Sequence, residues 1–224
     1  MTLNQIPSRL HGRSQRLLRL SRLSLFGCVF NLALGLALAD TPEQRITHHA
    51  THLAVEACGT CHGAQGVSQL PKIPNLAGQD ADYLSAQLKA FRNQTRGDPD
   101  AIGYMWGMAA ALDDETIAAL ASHYATHTPS AGRVSHSSAL PMGRRLYQEG
   151  LPDQGVPACS ACHGLDAHGL AGFPRLAGQH AQYLLKQLRS FQNNMRDVAV
   201  MHGVTQGLKR AEMESVAAYL ESLP

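Results

Sequence analysis

The chain has 224 residues, 19 basic and 17 acidic side chains, and only 5% aromatics. That length suits one large domain or two small ones. A charge so close to balance, with no basic patch, excludes a nucleic-acid binder, and so few large side chains leave open what fills the core.

Residues 1–39 read as a cleaved export signal. Arg9, Arg13, Arg16, Arg19 and Arg22 make a basic start without acidic residues, and Leu23 to Leu38 is almost continuously apolar. The small-x-small triplet Ala37-Leu38-Ala39 then marks a cleavage site before Asp40. A transmembrane anchor is the alternative, but the run of about 16 apolar residues is short of the roughly 20 that a span needs. Leu25-Phe26-Gly27-Cys28 is a weak match to a lipoprotein processing site, because most of the apolar stretch follows Cys28 instead of preceding it. Removing residues 1–39 takes five basic residues and no acidic ones, so 14 basic face 17 acidic side chains and the net charge becomes −3.

The next elements are a histidine-rich stretch, His48, His49 and His52 on an expected helix, and then Cys58-Gly-Thr-Cys61-His62. The histidine stretch has no counterpart later in the chain and reads as a solvated face. The cysteine motif has one, Cys159-Ser-Ala-Cys162-His163. An even cysteine count in an exported chain suggests disulfides, but C-x-x-C followed at once by His is the attachment signature of c-type haem. Two thiols at that spacing can each form a thioether to a haem vinyl group, and the adjacent His can reach the iron. A zinc site would want its pairs about 15–20 residues apart, and here 97 residues intervene. A thiol redox motif would want a βαβ context, which is missing.

Beyond each haem motif the chain repeats itself. Pro74-Asn-Leu-Ala-Gly-Gln79 matches Pro174-Arg-Leu-Ala-Gly-Gln179 at an offset of 100, and the match runs on through Tyr83/Tyr183, Leu84/Leu184, Gln87/Gln187, Leu88/Leu188, Phe91/Phe191 and Arg96/Arg196. Spacings of three and four put Tyr83, Leu84, Gln87, Leu88 and Phe91 on one helical face. Ile117, Leu120, Ala121 and Tyr124 do the same behind a cap at Asp113, and Met213, Val216, Ala217 and Leu220 repeat it. No strand alternation is evident. Thr128 to Ala139 is polar and breaker-rich, which gives an N-terminal domain at 40–129 and a C-terminal domain at 130–224.

A haem held by one His keeps an open axial position, which Met or His fills in electron carriers. At the downstream offset of 96, Met105-Trp-Gly matches Met201-His-Gly. Met105 and Met201 are the only methionines that align with each other, each expected in a Met-x-Gly turn before the last helix of its unit. Core filling is the alternative role, and Met108 is the rival ligand in the first unit. His202 aligns with Trp106, which argues against its being a ligand. A proximal His normally donates its free ring N–H to a carbonyl. Pro74 and Pro174, 12 and 11 residues after His62 and His163, are the candidate acceptors.

Both C-x-x-C-H pentads, both P-x-L-A-G-Q segments with their Tyr-Leu-x-x-Gln-Leu helices, and both Met-x-Gly segments together resemble the dihaem cytochrome c4 family over essentially residues 50–224. The resemblance implies an all-α fold of two tandem class I cytochrome c domains, related by a pseudo-twofold, with a covalent haem c in each and His/Met iron. It implies electron transfer in the periplasm, from a quinol-oxidising bc complex to a terminal oxidase or another acceptor, with loose membrane association allowed. No catalytic residue and no small-molecule substrate are expected. Two departures are Lys72-Ile73-Pro74-Asn75, where Phe-Pro-Lys is usual, and Trp106 beside Met105. An electron-accepting subunit of a larger dehydrogenase or oxidase would share the same fold and ligands. A dihaem enzyme such as a peroxidase would need one open axial site, against which the paired methionines argue.

Overall fold

The computed structural model describes residues 40–133 and 138–224; the export-signal reading and Cys28 lie outside them. The first half opens with α1 (Pro42–Leu53), which runs without a break through a wider π-helical turn (Ala54–Cys58) into the short α2 (Gly59–His62). Then come α3 (Ala81–Arg92), a second π-helical turn (Ala101–Met105), α4 (Trp106–Ala109) and α5 (Asp114–Ala125). The second half repeats this order with α6 (Leu140–Glu149), α7 (Ser160–His163), α8 (Ala181–Gln192), α9 (Ala199–Gln206) and α10 (Arg210–Ser222). No strand occurs among the described residues, only two isolated bridges, Leu151–Val156 and Leu170–Phe173.

Local chemistry sets the helix ends. The Asp80 and Asp113 carboxylates accept the Tyr83 and Thr116 N–H groups at 2.8 and 2.7 Å, capping α3 and α5. Such caps contribute about 1 kcal/mol each. The residue that follows each haem-motif histidine is a glycine at φ +80° (Gly63) or +83° (Gly164). That left-handed conformation favours glycine, so the helix stops as soon as the histidine has been presented.

In each half the first and last helices cross through small residues. Ala50 of α1 and Ala54 of the π-helical turn that continues it pack with Leu120, Ala121 and Tyr124 of α5. In the second half the crossing is closer still: a Cβ at Gly143 of α6 would stand 2.1 Å from the Ser215 carbonyl oxygen of α10. The P-x-L-A-G-Q segments are pinned alike. Gly66 O accepts the Leu76 and Ala77 N–H groups, as Ala167 O accepts those of Leu176 and Ala177, and Gly78 and Gly178 donate to Tyr124 O and Leu220 O of the last helices.

Residues 43–224 pack as one unit, and the seam between the halves is polar and reciprocal. Gln79 reaches the backbone of Arg175, and Gln179 the backbone of Asn75. Arg96 donates to Gln87 of its own half and Gln187 of the other, both at 2.8 Å, while Arg196 donates to Gln187 and Gln87, both at 2.9 Å. Arg196 also donates to the Tyr83 hydroxyl at 2.7 Å. Each guanidinium lies over the phenylalanine of its own half, Arg96 at 4.7 Å from the Phe91 ring centre and Arg196 at 4.6 Å from that of Phe191. A patch that meets its own copy in this way is isologous. The predicted face of α3 therefore divides: Leu84, Leu88 and Phe91 go to the core, and Tyr83 and Gln87 go to the seam.

The symmetry is incomplete, and two ion pairs belong to the first half's copy alone. Asp98, 1% exposed, pairs with Arg96 at 2.7 Å, and Asp100 pairs with Lys186 of the other half. The matching positions in the second half are Val198 and Val200, both exposed. Breaking one partner of a buried pair costs about 3–5 kcal/mol. Asp98→Asn is therefore expected to lower the unfolding free energy by about that much in denaturant titration. Asp197→Asn, at an exposed site, is expected to change it by less than about 0.5 kcal/mol.

Candidate functional site

Each half brings two thiols and one imidazole together on a single helical turn. No disulfide joins Cys58, Cys61, Cys159 and Cys162. Cys58 and Cys159 each pack at the edge of their half's core cluster, and Cys58 meets the Tyr124 hydroxyl. Burial pushes the Cys58 thiol up, against an opposing hydrogen bond from the Tyr124 hydroxyl. It pushes Cys159 up to about 11.

His62 and His163 are buried, at 8% and 7% exposure. His62 Nδ1 lies 2.9 Å from Pro74 O, and His163 Nδ1 lies 3.0 Å from Pro174 O. A carbonyl oxygen can only accept, so each ring carries its proton on Nδ1 and keeps the Nε2 lone pair for a metal. Burial holds both imidazoles below the ordinary histidine range, partly offset by those same carbonyls, so both are neutral at pH 7. In the first half the loop beneath is locked further: Ser68 donates its hydroxyl to Cys61 O at 2.9 Å and its N–H to Asn75 Oδ1 at 2.9 Å.

The methionines sit differently from the sequence-based expectation. Met105 ends the π-helical turn and Met201 lies inside α9, so neither occupies an open turn. Met105 is half-buried against Phe91, Ala101 and Ala109, together with Trp106. A Cβ at Gly107 or Gly203 would meet no protein atom within 4 Å. These glycines are therefore not required by the packing of the polypeptide itself. Met108 is exposed on α4.

Trp106 and His202, which differ between the repeats, do the same work. Trp106 Nε1 donates to Arg96 O at 2.8 Å, and His202 Nδ1 to Phe191 O at 2.8 Å. Each ties its methionine-bearing segment back to the preceding helix region. Arg92 and Gln192 form a second such pair, reaching Leu112 O and Leu208 O at 2.9 Å each. The sequence reading missed these ties because the tethering residues differ in type. His48, His49 and His52 lie exposed on α1, and no group of three or more metal-ligating side chains occurs among the described residues.

The donor set fits a covalently held haem: paired thiols, then a neutral imidazole with Nε2 available. Exposed apolar side chains accompany the motifs in both halves, Leu70, Ile102 and Met108 in the first and Leu165, Leu170 and Phe173 in the second.

The comparisons with known proteins agree. The cytochrome c family model matches residues 50–127 and again 142–224. Cytochrome c-552 of Acidithiobacillus ferridurans is 40% identical over 169 residues, which is 74% of this chain and 73% of that one. The solved cytochrome c4 of Acidithiobacillus ferrooxidans superposes with a TM-score of 0.71 at 38% identity, covering 74% of this chain and 98% of that one. A thiosulfate dehydrogenase electron acceptor of Thiomonas intermedia is 33% identical over 175 residues, 75% of this chain and 79% of its own length. The chain belongs to the cytochrome c family, in its dihaem cytochrome c4 branch, and is an electron-transfer protein with two covalently bound haem c groups.

Proposed function

We propose that Cys58 and Cys61 hold one haem by thioethers, and Cys159 and Cys162 the other, with His62 and Met105 as the axial ligands of the first iron and His163 and Met201 as those of the second. The observation that carries this reading is the pair of buried imidazoles, each fixed by a proline carbonyl one helical turn from two thiols. The haem supplies one-electron cycling between Fe(III) and Fe(II). The protein holds each imidazole in one tautomer and orientation. It sets the potential through the axial methionine and the carbonyls of Pro74 and Pro174. No general acid or base is needed.

The domains are taken as 40–129 and 130–224, after a cleaved export signal at 1–39, which places the protein in the periplasm. There it carries electrons between redox proteins, such as a quinol-oxidising bc complex and a terminal oxidase. No helix among the described residues is long and apolar enough to cross a membrane. A second reading has specific support: the likeness to a thiosulfate dehydrogenase electron acceptor favours service as the dedicated acceptor of such a dehydrogenase. Tight co-purification with a dehydrogenase, and reduction by it faster than by a bc complex, would decide for that reading.

Single ligand variants test the iron assignment. Met105→Ala and Met201→Ala are each expected to convert one haem out of two from low-spin His/Met to another ligation state and to lower its potential. If either variant leaves both haems unchanged, that methionine is not a ligand. Residues 40–129 carry 5 basic and 10 acidic side chains, and residues 130–224 carry 9 and 7. Surface charge of that kind steers partners in a salt-dependent way. At least one of the two rates, reduction by a donor or oxidation by an acceptor, is expected to fall as ionic strength rises in stopped-flow measurements. Indifference of both to salt would remove the steering role.

A further inference from the structure

Each fixed imidazole is connected to the opposite domain through a single peptide group. The peptide between Pro74 and Asn75 accepts His62 Nδ1–H at its carbonyl oxygen, 2.9 Å away. The N–H of that same peptide donates to Gln179 Oε1 at 2.9 Å. Gln179 closes the contact by donating from Nε2 to Asn75 O at 2.9 Å. The second half does the same in reverse. The Pro174–Arg175 peptide accepts from His163 at 3.0 Å and donates its N–H to Gln79 Oε1 at 2.8 Å, while Gln79 Nε2 donates to Arg175 O at 2.9 Å. Gln79, Gln179 and Asn75 are each 7% exposed, so these chains run through the protein interior.

The carbonyl and N–H of one peptide share a resonance system. An acceptor drawing on the N–H increases negative charge on the carbonyl oxygen, and hydrogen bonds linked in this way strengthen one another in a low dielectric. A more negative Pro74 or Pro174 oxygen pulls harder on the imidazole Nδ1–H, and a histidine so held is a more basic metal ligand. A more basic ligand favours Fe(III) and lowers the reduction potential.

We propose that Gln79 and Gln179 are positioning residues acting crosswise: each glutamine strengthens the hydrogen bond of the other domain's haem-ligating histidine and holds down that haem's potential. The inference rests on His62 and His163 as iron ligands. It makes both potentials depend on the docked state of the two domains, without any added charge. Simple seam glue would have no crossed effect.

The test is a set of holo-protein variants read by redox titration and by proton NMR of the ligand imidazoles. Gln179→Leu is expected to raise the potential of the first haem, move the His62 Nδ1–H resonance upfield, and leave the second haem unchanged. Gln79→Leu is expected to do the reverse. Gln179→Glu, which keeps a stronger acceptor for the Asn75 N–H, provides a variant of nearly native shape and is expected to lower the first potential more than the second. Shifts in the variant's own domain, equal shifts in both haems, or no shift overturn the proposal. If His62 and His163 show no paramagnetic shift in the oxidised protein, the ligand assignment fails and takes the inference with it. If they do, and the glutamine variants move neither potential, the inference alone fails.

Discussion

The two halves are held as one body by a buried polar seam in which each side group meets the copy of its own partner. Arg96, Arg196, Gln79 and Gln179 are all under 8% exposed, and each donates across the seam or accepts from it. A hydrogen bond of this kind contributes about 1 kcal/mol net, whereas losing one partner of a buried pair costs about 1–3 kcal/mol. The seam therefore discriminates strongly between the docked arrangement and any slipped one. An apolar seam could slide and still stay buried. One built from paired amides, guanidiniums and backbone groups cannot, and so the two imidazole-bearing loops are set at fixed positions relative to one another.

The same economy governs each half. The chain is poor in aromatics, and Ala50, Ala54 and Gly143 bring the first and last segments of each half close, with Tyr147 and Tyr219 packed beside the crossing in the second half. The apolar residues Leu70, Leu165, Leu170 and Phe173 stand exposed on the polypeptide. The imidazole orientation is still set by the protein alone, through the proline carbonyls.

The haem chemistry was largely legible in the sequence, because C-x-x-C-H is a local pattern whose spacing follows directly from thioether geometry. The helices were legible from apolar periodicity, and the Asp113 cap from its place before Ile117. The hydrogen bonds to Pro74 and Pro174 were anticipated from distance along the chain. The seam was not anticipated. Gln79, Tyr83, Gln87 and Arg96 matched their copies at an offset of 100, but an internal match by itself only records duplication. A helix face that alternates Leu with Gln and Tyr reads as one amphipathic stripe until the second domain is placed against it. Polar residues kept in both copies, on a face that a core would want apolar, were the signal for an interface. The Met-x-Gly segments were expected as turns because glycine suggests one, yet hydrogen bonding along the chain carries Met201 into α9. The Trp106 and His202 tethers could not be found by matching, because two different side chains supply the same donor at equivalent places.

Electron transfer by two haems that are both six-coordinate requires Met105 and Met201 to complete the irons' ligand sets, as proposed. The most direct measurement is a redox titration of the holo-protein followed by visible absorption. Two low-spin, one-electron steps at positive potential, one per haem, are the predicted result. A high-spin haem in the resting protein, or a step at strongly negative potential, would contradict the paired-methionine assignment and point to a dihaem enzyme instead.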